Sequence, residues 1–260
     1  MPYDYTFERV LKDYSSKDLA LVVYHEHAPY MDPLGNHSSD SRVKYYGVNG
    51  APQLFIDGKK FQNDLDYNGG SAEGDKIQKT AAAVNANLRA DLEVRAEAVI
   101  DLKAKRAGEK VSVIVEADNL RNVSDDVTLQ IALVENKTTY SGENGLRFHF
   151  MVVRALAGNN DTRTFGFKID PTKFNRFDYV FDLYRVVAQT FAYYDTKTSE
   201  MMKAFLGRVG GKMPDGLNID FGFKYKKNQI DAENLSVVAF LQDNKTKKVL
   251  QSSTLDLGSK

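Results

Sequence analysis

Three histidines and three acidic residues in one loop are the first residues whose types and spacing could do chemistry. His25 and His27 are separated by Glu26, and His37 follows, with Asp32 and Asp40 close by in sequence. A His-x-His pair at the end of a strand can give two imidazoles to one zinc ion. Alternating residues on a strand are common, and a closed zinc site needs more ligands than this loop fixes. We therefore favour a polar loop, with a zinc site of His25, His27 and His37 as the alternative.

Nucleophilic chemistry finds little support in the sequence. The 260 residues contain no cysteine, which excludes disulfides, thiolate metal sites and cysteine nucleophiles in the chain as given. Neither a Gly-x-Ser-x-Gly elbow nor a glycine-rich phosphate loop occurs. His149 lies between Phe148 and Phe150 in a predicted strand, so we expect it to face outward if the phenylalanines face the core. We predict no catalytic residue and no cofactor, and whether the chain is an enzyme stays open.

Composition narrows the possible partners. Lysine plus arginine equals aspartate plus glutamate at 35 each, which argues against a general nucleic-acid binder because such proteins carry a basic excess. No apolar run reaches the length of a transmembrane helix. Residues 1–4 show neither the basic nor the apolar region of a signal peptide.

The first third of the chain alternates helices and short strands. We predict helices over 3–14, through Arg42 to Tyr46 and over 75–88, with strands at Leu19–Tyr24 and Gln53–Ile56. Asp57-Gly58 predicts a tight turn, since glycine supplies the positive φ that such turns require. This order is typical of an α/β unit.

The stretch from Tyr46 to Gly58, with its order helix, Tyr-Gly-Val-x-Gly-x-Pro, strand and Asp-Gly, resembles the second half of a thioredoxin-like domain. The resemblance implies that the peptide bond before Pro52 is cis and that Pro52 faces an active site. Ala51 precedes this proline, and Tyr24 and His25 would lie at the edge of the same face. The family's first strand and its Cys-x-x-Cys motif have no counterpart here, and they would fall just before Met1.

From about residue 89 the sequence consists of many short segments in which apolar and polar residues alternate. This pattern predicts short strands and indicates a β-sandwich. Several strand phrases in this part resemble a family of bacterial exported, outer-membrane-associated proteins that join a thioredoxin-like domain to a β-sandwich. These phrases are Leu133-Val134-Glu135, Phe148-His149-Phe150, Val152-Val153-Arg154 and the run from Val237 to Asp243.

The predicted fold is therefore α/β plus all-β. An incomplete thioredoxin-like domain, 1–88, precedes an immunoglobulin-like β-sandwich, 89–260, that carries a helical insertion at about 171–216. The insertion's first helix should place Phe177, Phe181, Tyr184, Ala188 and Phe191 on one face, and a second helix should include Met201 to Leu206. A helix that is apolar almost all round is either buried or binds a partner or a membrane surface.

The resemblance implies a thioredoxin-like protein of the exported thiol–disulfide oxidoreductase type, redox-inactive as supplied because it has no cysteine. The alternative is a non-catalytic binding or surface-associated module that uses the β-sandwich and its insertion. Either would engage a protein or peptide client. The implied location is periplasmic, outer-membrane-associated or secreted.

Overall fold

Three long helices accompany a β-rich body. The computed structural model describes residues 8–10, 12–26, 32–62, 73–142, 145–159 and 162–258. The helices are α1 (His37–Tyr46), α2 (Glu73–Leu92) and α3 (Leu183–Arg208). Residues 8–10 and 12–13 are also helical, in agreement with the helix predicted over 3–14, whose first residues lie outside the described ranges.

The strands lie mostly after residue 98. They are β1 (Phe55–Ile56), β2 (Lys59–Lys60), β3 (Val99–Ala107), β4 (Lys110–Asp118), β5 (Val127–Thr139), β6 (Phe148–Leu156), β7 (Gly158–Asn159), β8 (Thr164–Phe165), β9 (Phe167–Lys168), β10 (Asn175–Asp182), β11 (Leu235–Asp243) and β12 (Val249–Asp256).

Two antiparallel sheets pack face to face over a shared apolar core. One sheet has the order β10-β4-β3, and the other has the order β12-β11-β5-β6 with β9 beside β5. Val111, Val113 and Val115 alternate into the core from β4, while Leu129 and Ile131 enter it from β5. The two packed sheets confirm the predicted β-sandwich, and alternating apolar residues bury one face of each strand.

The outer face of the five-stranded sheet is covered as well. Ala20, Val22 and Tyr24 pack on a cluster of buried residues from β5, β6 and β11. Between them, Val23 forms a parallel bridge to β6, donating its N–H to the Met151 carbonyl at 2.8 Å. All nine residues of β11 are consequently buried, which accounts for its nearly continuous apolar sequence.

The thioredoxin-like arrangement is not confirmed. Within the described part of the first 92 residues, the only paired strands are the two-residue β1 and β2. Leu19–Tyr24, predicted as a buried strand of its own sheet, makes one bridge to the sandwich instead. A smaller core of Val10, Leu54 and Val84 joins the N-terminal helix, the β1–β2 hairpin and α2.

The predicted first helix of the insertion is wrong in its first half. Asn175–Asp182 is strand β10, which pairs with β4 along eight residues, so Phe177 and Phe181 belong to the sandwich. Phe181 enters the core, while Val180 is exposed, as period-two alternation requires. The helix begins only after Asp182, whose side chain accepts a hydrogen bond from the Arg185 N–H. It then continues without a break through the predicted second helix.

Candidate functional site

The four residues predicted for an active face have different surroundings in the structure. The Ala51–Pro52 bond is cis, as predicted, and both residues are exposed in the loop before β1. Tyr24 faces the outer surface of the five-stranded sheet, whereas His25 bonds to Asp32. The contacts found for Tyr24 and His25 in the described ranges involve neither Ala51 nor Pro52.

His25 and Asp32 form a partly buried pair. The His25 Nδ1 lies 2.8 Å from the Asp32 Oδ2, and the other carboxylate oxygen accepts the Leu34 N–H at 2.8 Å. Burial alone would raise the pKa of Asp32, but the charge and hydrogen bond of His25, together with the Leu34 N–H, hold it below its ordinary value. The pair fixes the loop that leads into α1.

His149 lies inside, against the prediction that it faces solvent. Its ring meets the His25 ring edge-to-face with centroids 5.2 Å apart, and its Nε2 lies 3.0 Å from the Tyr140 carbonyl oxygen. Phe148 is the exposed neighbour. The strand does alternate at this point, but with Phe148 outside and His149 inside. The prediction is wrong because its premise, that the phenylalanines face the core, does not hold for Phe148.

The alternative zinc site of His25, His27 and His37 is not assembled in the described residues. His27 lies outside them, and the ring of His37 packs edge-on against Tyr193 at 5.0 Å. Burial, with the nearby positive charge of Arg163, lowers the pKa of His37. Over the part of the chain that the structure describes, no group of three metal-ligating side chains could hold an ion.

A buried cation, Arg42, is a feature that the sequence did not reveal. Its guanidinium lies 4.3 Å from the ring centroid of Tyr45 and 5.0 Å from that of Tyr46, with Phe240 also within reach. Its Nη2 donates to the Tyr46 hydroxyl and to the Gln242 side-chain oxygen. In the described ranges Arg42 has no carboxylate partner, so aromatic faces and neutral oxygens stabilise its charge.

Tyr24 completes this cluster from the opposite side. Burial raises the pKa of Tyr24 to about 12, although the neighbouring Arg42 charge opposes the rise. The Tyr24 hydroxyl is buried beside the Arg42 guanidinium. A buried neutral phenol beside a buried cation is suited to structure rather than to proton transfer at neutral pH.

The start of α1 is joined to β6 by polar side chains. The Asn36 amide donates to the Val153 carbonyl at 2.8 Å, and the Leu156 N–H donates to the Ser38 hydroxyl at 2.9 Å. Asn36 also caps the helix by accepting the Ser39 N–H. Buried polar groups are usually paired, and these bonds attach the loop and helix rigidly to the sandwich.

Helix α3 closes over the same loop. The Tyr194 hydroxyl donates to the Pro33 carbonyl at 2.6 Å, and the Tyr193 hydroxyl lies 3.1 Å from Asp40. Lys197 forms an ion pair with Asp40 at 2.8 Å. The first half of α3 is therefore anchored on the residues around Pro33 and Asp40.

An open cleft lies elsewhere, between the N-terminal segment and the sandwich. It has a volume of about 320 Å³. Residues 16–20 form one wall, the end of α2 and residues 94–97 form another, and residues 248–253 of β12 and its approach form the third. Leu92 and Val94 are more than half exposed at this cleft, so it offers apolar surface as well as main chain.

The third wall is a sheet edge, because β12 pairs only with β11 among the strands that the structure describes. At its start the edge is occupied: Val249 donates its N–H to the Asp57 carbonyl at 3.1 Å, and Leu250 accepts the Glu97 N–H at 3.4 Å. Further along, from Gln251 to Asp256, no main-chain group in the described ranges bonds to the open side. The Ser252 N–H donates instead to the side-chain oxygen of Gln251.

The charged groups of the cleft are partly neutralised. Lys248 and Glu97 form an ion pair at 2.7 Å. Burial and the nearby Asp91 raise the pKa of Asp57, and Lys248 opposes the rise. The cleft carries no strong excess of either sign, so its shape and its main-chain edge, more than its charge, decide what fits.

Comparisons with known proteins identify no family. No protein-family model and no curated protein matches the chain. A domain of the outer membrane lipoprotein Omp28 from Porphyromonas gingivalis is similar at 16% identity over 64% of this chain and 91% of that domain, with a TM-score of 0.28. At this TM-score the two structures superpose loosely, and the function of this chain has to be argued from its own contacts. No helix in its described ranges is both long and apolar enough to cross a membrane.

Proposed function

We propose that this chain is a non-catalytic, peptide-binding module of the bacterial cell envelope. Its binding site is the cleft along β12. The observation that carries the proposal is the open main-chain edge from Gln251 to Asp256, whose first residues, Gln251 to Ser253, line a cavity of about 320 Å³. An extended peptide can add to such an edge as a further strand, with main-chain hydrogen bonds giving affinity. The cell-envelope location is supported by the resemblance of the strand phrases.

The thiol–disulfide oxidoreductase activity of the resembled family is not proposed for these residues. Dithiol exchange requires a thiolate that attacks a disulfide sulfur, and the 260 residues contain no cysteine. Of the predicted active-face residues, Pro52 is exposed, Tyr24 lies beside Arg42 and His25 pairs with Asp32.

The cleft suits an extended segment better than a compact small molecule. One wall is the strand edge, and the opposite rim presents Leu92 and Val94 to solvent. A bound strand would direct alternate side chains toward this apolar rim and away from it.

The test is binding of mixed peptides about six residues long, the usual length of a strand. Binding would be followed by hydrogen exchange of the full chain, and we expect added protection at residues 251–256. Ser252→Pro removes one donor from the open edge, where proline is tolerated because no ladder bond is lost. Ser252→Ala, which keeps the N–H, is the matched control.

Loss of binding in Ser252→Pro with retention in Ser252→Ala would support strand addition at this edge. Equal binding by both variants, or protection that appears only outside 251–256, would refute the site. Circular dichroism of each variant verifies that the sheet is intact.

A further inference from the structure

The last turns of α3 and the five residues that follow the helix differ from the rest of the chain in composition. Residues 201–213, Met-Met-Lys-Ala-Phe-Leu-Gly-Arg-Val-Gly-Gly-Lys-Met, contain three cations and no acidic residue, although the whole chain has zero net charge. The nearest acidic residues in sequence are Glu200, which pairs with Lys197 at 3.1 Å, and Asp215. We name residues 201–213 the basic-apolar segment.

The start of this segment stands clear of the body, whereas Phe205, Leu206 and Met213 are half-buried. The first half of α3 is anchored through Tyr193 and Tyr194, but residues 199–204 are all exposed, which is more than a full helical turn with no buried face. A contact between Phe205 and Phe221, with ring centroids 5.4 Å apart, holds the helix end from one side. The projecting part is therefore held in place without being covered.

Apolar side chains are exposed on this projection. Met201 is 37% exposed, Met202 is 41% exposed and Val209 is 37% exposed. Leu217, in the turn that follows, is also exposed. The exposure of these apolar side chains to water is unfavourable, because the burial of each one would lower the free energy.

The cations lie among these apolar side chains and are not neutralised. Lys203, Arg208 and Lys212 are exposed and form no ion pair with any residue that the structure describes. Lys197, one turn earlier, is the contrasting case, since Asp40 and Glu200 both contact it. Charge complementarity thus calls for an anionic surface that also accepts apolar side chains.

We propose that the basic-apolar segment docks on a bilayer surface that bears anionic phospholipid headgroups. Amphipathic helices bind in this way, with apolar residues at the acyl boundary and basic residues at the headgroups. In this proposal the segment lies along the surface of the bilayer, with its side chains at the level of the headgroups. It is independent of the cleft, which lies against β12.

The experiment measures co-sedimentation of the full chain with vesicles of phosphatidylcholine alone and of phosphatidylcholine mixed with phosphatidylglycerol. We expect binding only to the mixed vesicles, with loss at high salt because salt screens exposed charges. The triple variant Lys203→Glu, Arg208→Glu and Lys212→Glu should bind on the order of 100-fold more weakly, since each surface cation contributes about fivefold.

The matched control is Lys60→Glu, Lys105→Glu and Lys110→Glu, three exposed lysines outside the segment. It changes the net charge equally and should bind like the unmodified chain. A second readout is Met201→Trp, which gives the chain its only tryptophan. Its emission should shift to the blue on mixed vesicles and be quenched by brominated lipid.

Four outcomes would overturn the proposal. They are no binding to mixed vesicles, equal binding by the triple variant, equal loss in the control variant, or an unchanged tryptophan emission in the Met201→Trp chain. Binding to soluble polyaspartate as tightly as to mixed vesicles would also overturn it, and would assign the segment to an acidic protein partner.

Discussion

Replacing Arg42 with methionine tests whether this buried cation holds α1 on the sandwich. Gln242 is completely buried, and its side-chain oxygen accepts from Arg42. The variant Arg42→Met keeps much of the apolar volume but leaves that oxygen without its donor, a loss of about 1–3 kcal/mol. Loss of the contacts with the tyrosine rings adds about 1 kcal/mol. We expect a decrease of about 2–4 kcal/mol in the free energy of unfolding.

Urea unfolding followed by circular dichroism measures this free energy, and an unchanged slope would show that the unfolded state is unaffected. Arg42→Lys should recover only part of the loss, because lysine lacks the planar fork that bonds and stacks together. Arg89→Met, at an exposed position of α2, is the control and should stay within about 0.5 kcal/mol. The reasoning is refuted if Arg42→Met also stays within that limit, or if Arg42→Lys restores full stability.

Three further predictions concern titration and a buried ion pair. Because the folded pKa of Asp32 lies below its ordinary 3.8, the ionised carboxylate stabilises the folded state. This stabilisation is present above pH 3.8 and is lost as the pH falls through the folded pKa. Asp32→Asn should therefore flatten the acid limb of the stability curve measured by urea unfolding at several pH values, and an unchanged limb would contradict this. The pKa of Tyr24 is raised from 10.0 to about 12 in the folded chain. The neutral phenol therefore favours the folded state below pH 10, and this stabilisation declines as the pH rises toward 12. Tyr24→Phe should lose less stability over that interval than the unmodified chain, and an equal loss would be contrary evidence. Arg154→Met should decrease the free energy of unfolding by about 3–5 kcal/mol, because it leaves the buried Glu135 carboxylate without its cation at 3.5 Å. Adding Glu135→Gln should recover part of that loss in the same assay, and no recovery would show that the pair is not the cause.

The sequence predicted the sandwich well wherever one face of a strand is buried. Val111, Val113 and Val115 alternate with polar residues, and all three enter the core. β10 was missed because Phe177 and Phe181 are four residues apart. That spacing keeps two residues on one face of a helix, and also on one face of a strand. The pairing of β10 with β4 decides between the two, and pairing depends on distant residues.

The candidate sites were harder to predict than the fold. Arg42 lies in a polar helix, where its local sequence indicates an exposed side chain. Its burial follows from Gln242, which is 200 residues away in the chain. The cleft along β12 arises where four separate segments meet, and no single stretch carries its signature. The basic-apolar segment is the exception, since its composition can be read directly in the sequence.

The N-terminal residues that cover the outer face of the five-stranded sheet limit where this chain can be divided and whether its β-rich part can be used in another protein. Ala20, Val22 and Tyr24 shield Val238 and Phe240 of β11. A gene fragment starting near residue 89 would encode every strand of both sheets, yet its product would display that apolar face to every other copy, and exposed apolar faces of this kind promote aggregation. Shuffling the β-rich part into another protein would succeed only if the new neighbour brought a replacement for residues 19–24.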